Sequence, residues 1–275
     1  MSEEWVASAD WLAEHIDDVA VVDVRDAWEY DGIGHLPDAV NVPFDEFRAD
    51  GHASQRDAER ANGERSDPRA DPEGMMPERD HWAALLSEAG IERGDTIVAY
   101  DDTHGVFAAR FLVTALYYGH DDLRLFDGDY SAWLRDHETT DEAPDVTPTD
   151  YQPGDPDESV FVDADDVLAA TDDPDAVVVD TREPEEYAEG HIPGAVNLDW
   201  KEVVDDETRG LKPRGEIESL LAERGVTPDE RVVLYCNTAR RISHTFVVLR
   251  WLGFPDVAFY EGSLTDWTER GHPVE

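Results

Sequence analysis

The chain has 275 residues, with 66 Asp plus Glu against 22 Lys plus Arg, a net charge of -44 and one cysteine. Such a length predicts two domains of ordinary size, and a single cysteine excludes both an internal disulfide framework and a cysteine-built zinc cage. The acid excess excludes nucleic acid and an anionic membrane surface as partners, because both are bound through Lys and Arg. In chain order, the N terminus MSEEWVASADWLAEHIDD is acidic and amphipathic, unlike a secretory signal. No apolar run approaches the roughly 18 residues of a membrane span, so the expected location is cytoplasmic. The β-branched run at residues 21–24 predicts a first buried strand. Residues from about 48 to 76 are polar, rich in Gly and Pro and without hydrophobic period, which predicts a long surface loop. Trp82, Leu85, Leu86 and Ala89 then recur at helical spacing, and residues 96–99 read as a strand. Residues 141–156 carry four prolines and no apolar period, so they predict a linker between domains at 1–140 and 157–275. The second half repeats the alternation, with strands at 176–179 and 231–234 and helices through Ile217, Leu220 and Leu221 and through Phe246, Val247, Leu249 and Leu252. The fold class is therefore α/β, each half a mostly parallel sheet covered on both faces. In such sheets a ligand site lies beyond the carboxyl ends of the strands.

An internal repeat organises the chain. Residues 20–42, AVVDVRDAWEYDGIGHLPDAVNV, return as residues 176–198, AVVVDTREPEEYAEGHIPGAVNL. Asp23, Arg25, Glu29 and Tyr30 correspond to Asp180, Arg182, Glu186 and Tyr187. Further on, TIVAYDDTHGVFAARF at 96–111 corresponds to RVVLYCNTARRISHTF at 231–246. Aligning Tyr100 with Tyr235 sets Asp101 opposite Cys236, and Gly128 and Trp133 fall opposite Gly262 and Trp267. The offset between the halves drops from 156 to 135, which puts about 21 extra residues in the first half, in the predicted long loop.

A lone cysteine is ordinarily a small buried hydrophobe. Cys236 differs in position: it closes the apolar run RVVLY and precedes a loop that enters an apolar helix. The amides of a helix N terminus stabilise an anion, and Arg240 and Arg241 add two cations within five residues. Both effects favour the nucleophilic thiolate and would equally hold an anionic substrate. Arg241 is the preferred substrate contact and Arg240 the second. Asp23–Arg25 and Asp180–Arg182 occur in both halves, only one of which has a cysteine, so most of their role is expected to be structural. His35 and His191 are read as turn-holding residues beside proline, and no histidine is placed as a general base.

These motifs resemble those of the tandem-domain rhodaneses, the thiosulfate and mercaptopyruvate sulfurtransferases. The resemblance rests on the D-x-R…EY…GHIPGAVN block, the cysteine loop ending a strand, the S-H-T-F-V-V-L helix and the Y-E-G-S…D-W block, and it covers nearly the whole chain. It implies two tandem domains, each a mainly parallel five-stranded sheet with helices on both faces. It implies a non-catalytic first copy, in keeping with Asp101, and makes Cys236 the nucleophile and persulfide carrier. Arg241 and Arg182 become substrate contacts, with Arg240 and Asn237 of the same loop beside them. The implied partners are a small anionic sulfur donor, thiosulfate or mercaptopyruvate, and a thiophilic acceptor such as cyanide; no metal or organic cofactor is implied. The loop departs from familiar patterns at Asn237, where thiosulfate enzymes often carry a basic residue, and at Ala239, where a glycine is usual. A phosphatase or arsenate reductase would place arginine six residues after the cysteine, where this chain has Ile242. A persulfide carrier without turnover is the other rival. Finally, only Lys201 and Lys212 are lysines. With so large an acid excess, this composition resembles that of an extreme halophile, whose self-repulsion is screened at about 1 M salt, where the Debye length is about 3 Å.

Overall fold

The computed structural model describes residues 5–48, 76–237 and 239–275. The predicted loop at about 48–76 therefore lies almost wholly outside the described residues.

In the first half the elements are β1 (Val6–Ala7), α1 (Ala9–His15), β2 (Ala20–Asp23), α2 (Ala27–Ile33), β3 (Val40–Asn41), α3 (Arg79–Glu88), β4 (Ile97–Tyr100), α4 (Val106–Tyr117), β5 (Leu123–Phe126) and α5 (Tyr130–Trp133). The second half has α6 (Ala164–Thr171), β6 (Ala176–Asp180), α7 (Pro184–Glu189), β7 (Val196–Asn197), α8 (Arg214–Glu223), β8 (Arg231–Tyr235), α9 (Arg240–Leu252), β9 (Val257–Phe259) and α10 (Ser263–Glu269). The first sheet runs β1-β5-β4-β2-β3 and the second β7-β6-β8-β9, with every strand pair parallel. Central strands buried on both faces account for the unbroken apolar runs: all four residues of β4 are fully buried.

Among the described residues the expectation of five strands in each half holds for the first sheet, while the second has four. Where β1 pairs with β5, the second half offers only a single parallel bridge between Phe161 and Phe259. Residues 141–156 carry neither helix nor strand, yet they are tied to the first half. Tyr151 is buried in its core, the Thr149 hydroxyl donates to the Ile91 carbonyl at 2.6 Å, and the Gly154 N–H to the Tyr118 carbonyl at 2.8 Å. The segment is a strap as well as a connection.

The halves meet along α4 and α9. Val113 of α4 belongs to the second core and Val247 of α9 to the first, and both are fully buried. Each such side chain contributes about 1.5–3 kcal/mol of burial. Ion pairs of Arg110 and Arg209 fix the join. Arg110, fully buried on α4, donates to both Glu261 oxygens at 2.9 and 2.7 Å. Arg209 donates through Nε to both oxygens of buried Asp129, at 2.7 and 2.8 Å. The bidentate fit makes these pairs directional as well as attractive.

Candidate active site

Each half builds its loop on the same frame. In the second, Asp180 ends β6 and its carboxylate accepts from Nε of Arg182 at 2.9 and 3.0 Å and from Nη2 at 2.6 Å. Nη2 also donates to the Gly190 carbonyl at 2.7 Å, and Nη1 reaches Oδ1 of Asn237 at 3.3 Å. Asp23, Arg25 and the Gly34 carbonyl make the matching cluster in the first half. Arg182 is thus buried and committed to an ion pair, and it touches the cysteine loop through Asn237. The predicted substrate contact at Arg182 is placed behind the loop, outside the lining of the cavity in front of it.

Cys236 follows β8, where buried Tyr235 accepts the Ile192 N–H at 3.0 Å. Its side chain is buried, its N–H donates to Oγ of Ser263 at 3.2 Å, and Oγ stands 4.0 Å from Sγ. Ser263 opens α10 with φ 52°, a left-handed conformation that costs a non-glycine residue roughly 1–2 kcal/mol. Its hydroxyl donates onward to the Tyr260 carbonyl at 3.0 Å. The loop then turns at Ala239, which takes the left-handed region itself at φ 61° to start α9. A glycine there would adopt this conformation without strain.

Asn237 and Arg241 are clasped by one carboxylate. Nδ2 of Asn237 donates to Glu186 Oε1 at 2.8 Å, while Arg241 donates to both Glu186 oxygens. Burial raises the Glu186 pKa, but the hydrogen bond and charge of Arg241 outweigh it and leave the carboxyl below its ordinary value. Arg240 is different: no ion pair or hydrogen bond from its guanidinium ties it to the frame among the described residues, and it lines open space on two sides. A cavity of about 440 Å³ lies over Cys236, walled by Val106 and Phe107 of the first half and by Trp200, Lys201, Arg240 and Arg241 of the second. Three cations and one carboxylate, Glu183, face it. Such a cavity between domains suits a small anion.

The first half shows what the loop does to a negative charge. The Asp101 carboxylate is buried and accepts four backbone N–H groups, from Thr103 at 2.7 Å, Gly105 at 2.8 Å, Phe107 at 2.8 Å and Ala108 at 3.1 Å. Burial raises its pKa and the four N–H groups pull it back. Asp101 carries its own anion into the cradle at the start of α4. Cys236 stands at the same place before α9 with a sulfur instead.

Sequence reasoning brings together Cys236, Asn237, Arg240 and Arg241, and the structure places all four on the cavity wall. It missed Ser263, Lys201 and Trp200 and gave Glu186 no role. Signals existed for two of them: Glu186 matches Glu29 in the repeat, and Ser263 follows the matched Gly262 as Asp129 follows Gly128.

Two tandem sheets, a strand-end cysteine and an anion-holding loop define a double rhodanese-like protein. The rhodanese-like domain description matches residues 8–136 and 163–270, so the chain belongs to that family in two copies. Relatives include the "Sulfur carrier protein TtuD" of Thermus thermophilus, 32% identical over 96% of this chain and 93% of its own length. The "Thiosulfate sulfurtransferase" of Corynebacterium glutamicum is 30% identical over 96% of this chain and 87% of its own length. Among solved structures, SseA from Escherichia coli, described among the 3-mercaptopyruvate sulfotransferases, superposes with a TM-score of 0.77 at 26% identity, covering 95% of this chain and 99% of SseA. With these relatives the chain stands as a sulfurtransferase.

Proposed function

We propose that this sulfurtransferase takes the outer sulfur of thiosulfate onto Cys236 and passes it, as a persulfide, to cyanide or a thiol. The observation that carries the reading is the union of the chain's only thiol with a cavity walled by Arg240, Arg241 and Lys201 at the N terminus of a 13-residue helix. The Cys236 thiolate attacks the outer sulfur, the sulfur–sulfur bond of thiosulfate breaks, and sulfite leaves with the electron pair. The enzyme then holds Cys236–S–S⁻. A thiophile attacks the outer atom and returns the thiolate, which is double displacement through a covalent intermediate. Negative charge moves only a few ångströms in this sequence, so preorganised donors and cations supply most of the stabilisation. We assign Arg240 as the first contact for the donor anion, supported by its lack of a partner among the described residues. Arg241 joins from its clasp on Glu186, and Arg182 acts through Asn237 as a positioning residue. The domains at 1–140 and 157–275 divide the work: the second supplies the nucleophile and the first closes the cavity with Phe107 and Val106.

Intact-protein mass spectrometry tests the reading. Thiosulfate should add about 32 Da to the wild type and nothing to Cys236→Ser, and cyanide should discharge the gain. A gain from mercaptopyruvate alone would move the donor to that class. No gain from either donor would overturn turnover with free donors and leave a carrier loaded by another protein.

A further inference from the structure

The cradle over Asp101 is closed to anions, yet among the described residues the space in front of it is open. A second cavity, of about 350 Å³, lies there at the carboxyl ends of β2 and β4. It shares three wall residues with the Cys236 cavity: Thr103, Phe107 and Arg240. The two chambers therefore adjoin, with the Arg240 guanidinium on the boundary. Their charges are opposite. Asp26, Glu29, Asp45 and Asp102 face the second chamber in addition to Asp101. Of its guanidiniums, Arg25 is consumed by Asp23 and the Gly34 carbonyl and Arg48 pairs with Asp45 at 3.4 Å, which leaves the shared Arg240. Val24, Phe44 and Phe107 give the chamber an apolar side.

A dianionic sulfur donor is repelled from such a chamber and directed to the neighbouring one. What the second chamber fits is a compact ligand with a positive end for the carboxylates and a short apolar stem along the phenylalanines. Its other end must be a group that benefits from Arg240. Resting on the persulfide reading above, the geometry points to this chamber as the acceptor site for a small aminothiol, a thiol bearing an ammonium group. The ammonium sits among Asp26, Glu29 and Asp45, with Asp102 held nearby by Arg209, and the thiolate lies toward Arg240 and the Cys236 persulfide. The thiolate, its proton released to solvent, attacks the outer persulfide sulfur. A new sulfur–sulfur bond forms, the Cys236 Sγ–S bond breaks, and Cys236 leaves as thiolate with the electron pair. The aminothiol departs as its persulfide, and no external oxidant or reductant enters.

The test is single-turnover discharge of the preformed Cys236 persulfide, followed by intact mass, with cysteamine and with 3-mercaptopropionate. Both are short thiols and differ in the charge at the far end. The reading is the ratio of their second-order rates, which cancels general damage to the loop. Asp45 is the residue to change, because its carboxylate is exposed and pairs only with Arg48 at 3.4 Å among the described residues. The cysteamine preference should fall about threefold in Asp45→Asn and about tenfold or more in Asp45→Arg, with the melting temperature unchanged. An unchanged ratio in folded Asp45→Arg would overturn the acceptor chamber. Loading separates the two readings. If thiosulfate and mercaptopyruvate fail to load Cys236, the function above fails, and the persulfide is then made with inorganic polysulfide so that the acceptor ratio is still read. If loading succeeds and the ratio does not move, only the acceptor inference falls.

Discussion

At the same point of their sheets, after a buried tyrosine ending a central strand, one half of the molecule carries Asp101 and the other Cys236. The frames beneath them are alike, down to the Asp–Arg pair that ends the neighbouring strand and caps a glycine carbonyl. The loops differ by one residue: the helix begins five positions after Asp101 but four after Cys236. Counting from those helix starts, Arg110 and His244 are counterparts, both fully buried where α4 meets α9. Arg110 reaches across to Glu261. His244 has no hydrogen-bond partner at either ring nitrogen among the described residues and packs edge-on against Trp200, 5.4 Å between centroids. The position matching Glu261 is Asp127, which instead accepts the Leu211 N–H at 2.7 Å. The lesson is that one half spends its loop on holding the fold and the other leaves its loop open for chemistry, with the same backbone plan.

That comparison breaks first at Asp101. Asp101→Ala removes the acceptor of four N–H groups, and at about 1 kcal/mol each the loss is about 4 kcal/mol, read as a lower denaturation midpoint in urea at unchanged slope. A shift below about 1 kcal/mol would show that water replaces the carboxylate freely.

His244 sharpens the contrast next. Burial, with the nearby His104 ring, pushes its pKa down to about 4 from 6.5. The unfolded chain therefore takes up the proton first as pH falls below 6.5, and stability declines until the folded form also protonates near pH 4. The decline attributable to this residue is about 3 kcal/mol. Subtracting the pH profile of His244→Leu from that of the wild type should reveal it, and parallel profiles would refute it.

The two loop arginines should separate by kinetics. Arg240→Ala should lower kcat/KM for the donor about 30-fold, or about 2 kcal/mol, with little change in melting temperature. Arg241→Ala should cost less in rate and more in stability, because it also frees Glu186. Equal effects in both measurements would mean that the clasp on Glu186 does not distinguish them. The smallest effect is expected at Ser263→Ala, about 1 kcal/mol of stability and a few-fold slower persulfide formation, since the Cys236 N–H loses its acceptor.

Much of this was legible in residues 20–42 and 176–198, because a buried parallel strand must be an unbroken apolar run and the turn after it is written in Asp, Arg, Gly and Pro. Cys236 was legible for the same reason: it ends such a run and opens the loop that leads into a helix. The clasp of Glu186 on Arg241 was not legible, because it joins residues 55 positions apart through side-chain rotamers alone. Nor was the missing fifth strand, since Val160–Val162 has strand-like composition but the residues on either side turn away after one bridge.

The sequence by itself determined the α/β class, the doubling of the domain, the place of the lone thiol at a strand end and the sign of the charge beside it. These follow from local periodicity and from residue types fixed along the chain. Only the tertiary structure decided which arginine is tied and which is open, that Arg182 stands behind the loop, and that two chambers of opposite charge adjoin at Arg240. Those outcomes depend on how α4 and α9 pack the halves together, and packing is a property of distances between residues far apart in the chain, which no local pattern encodes.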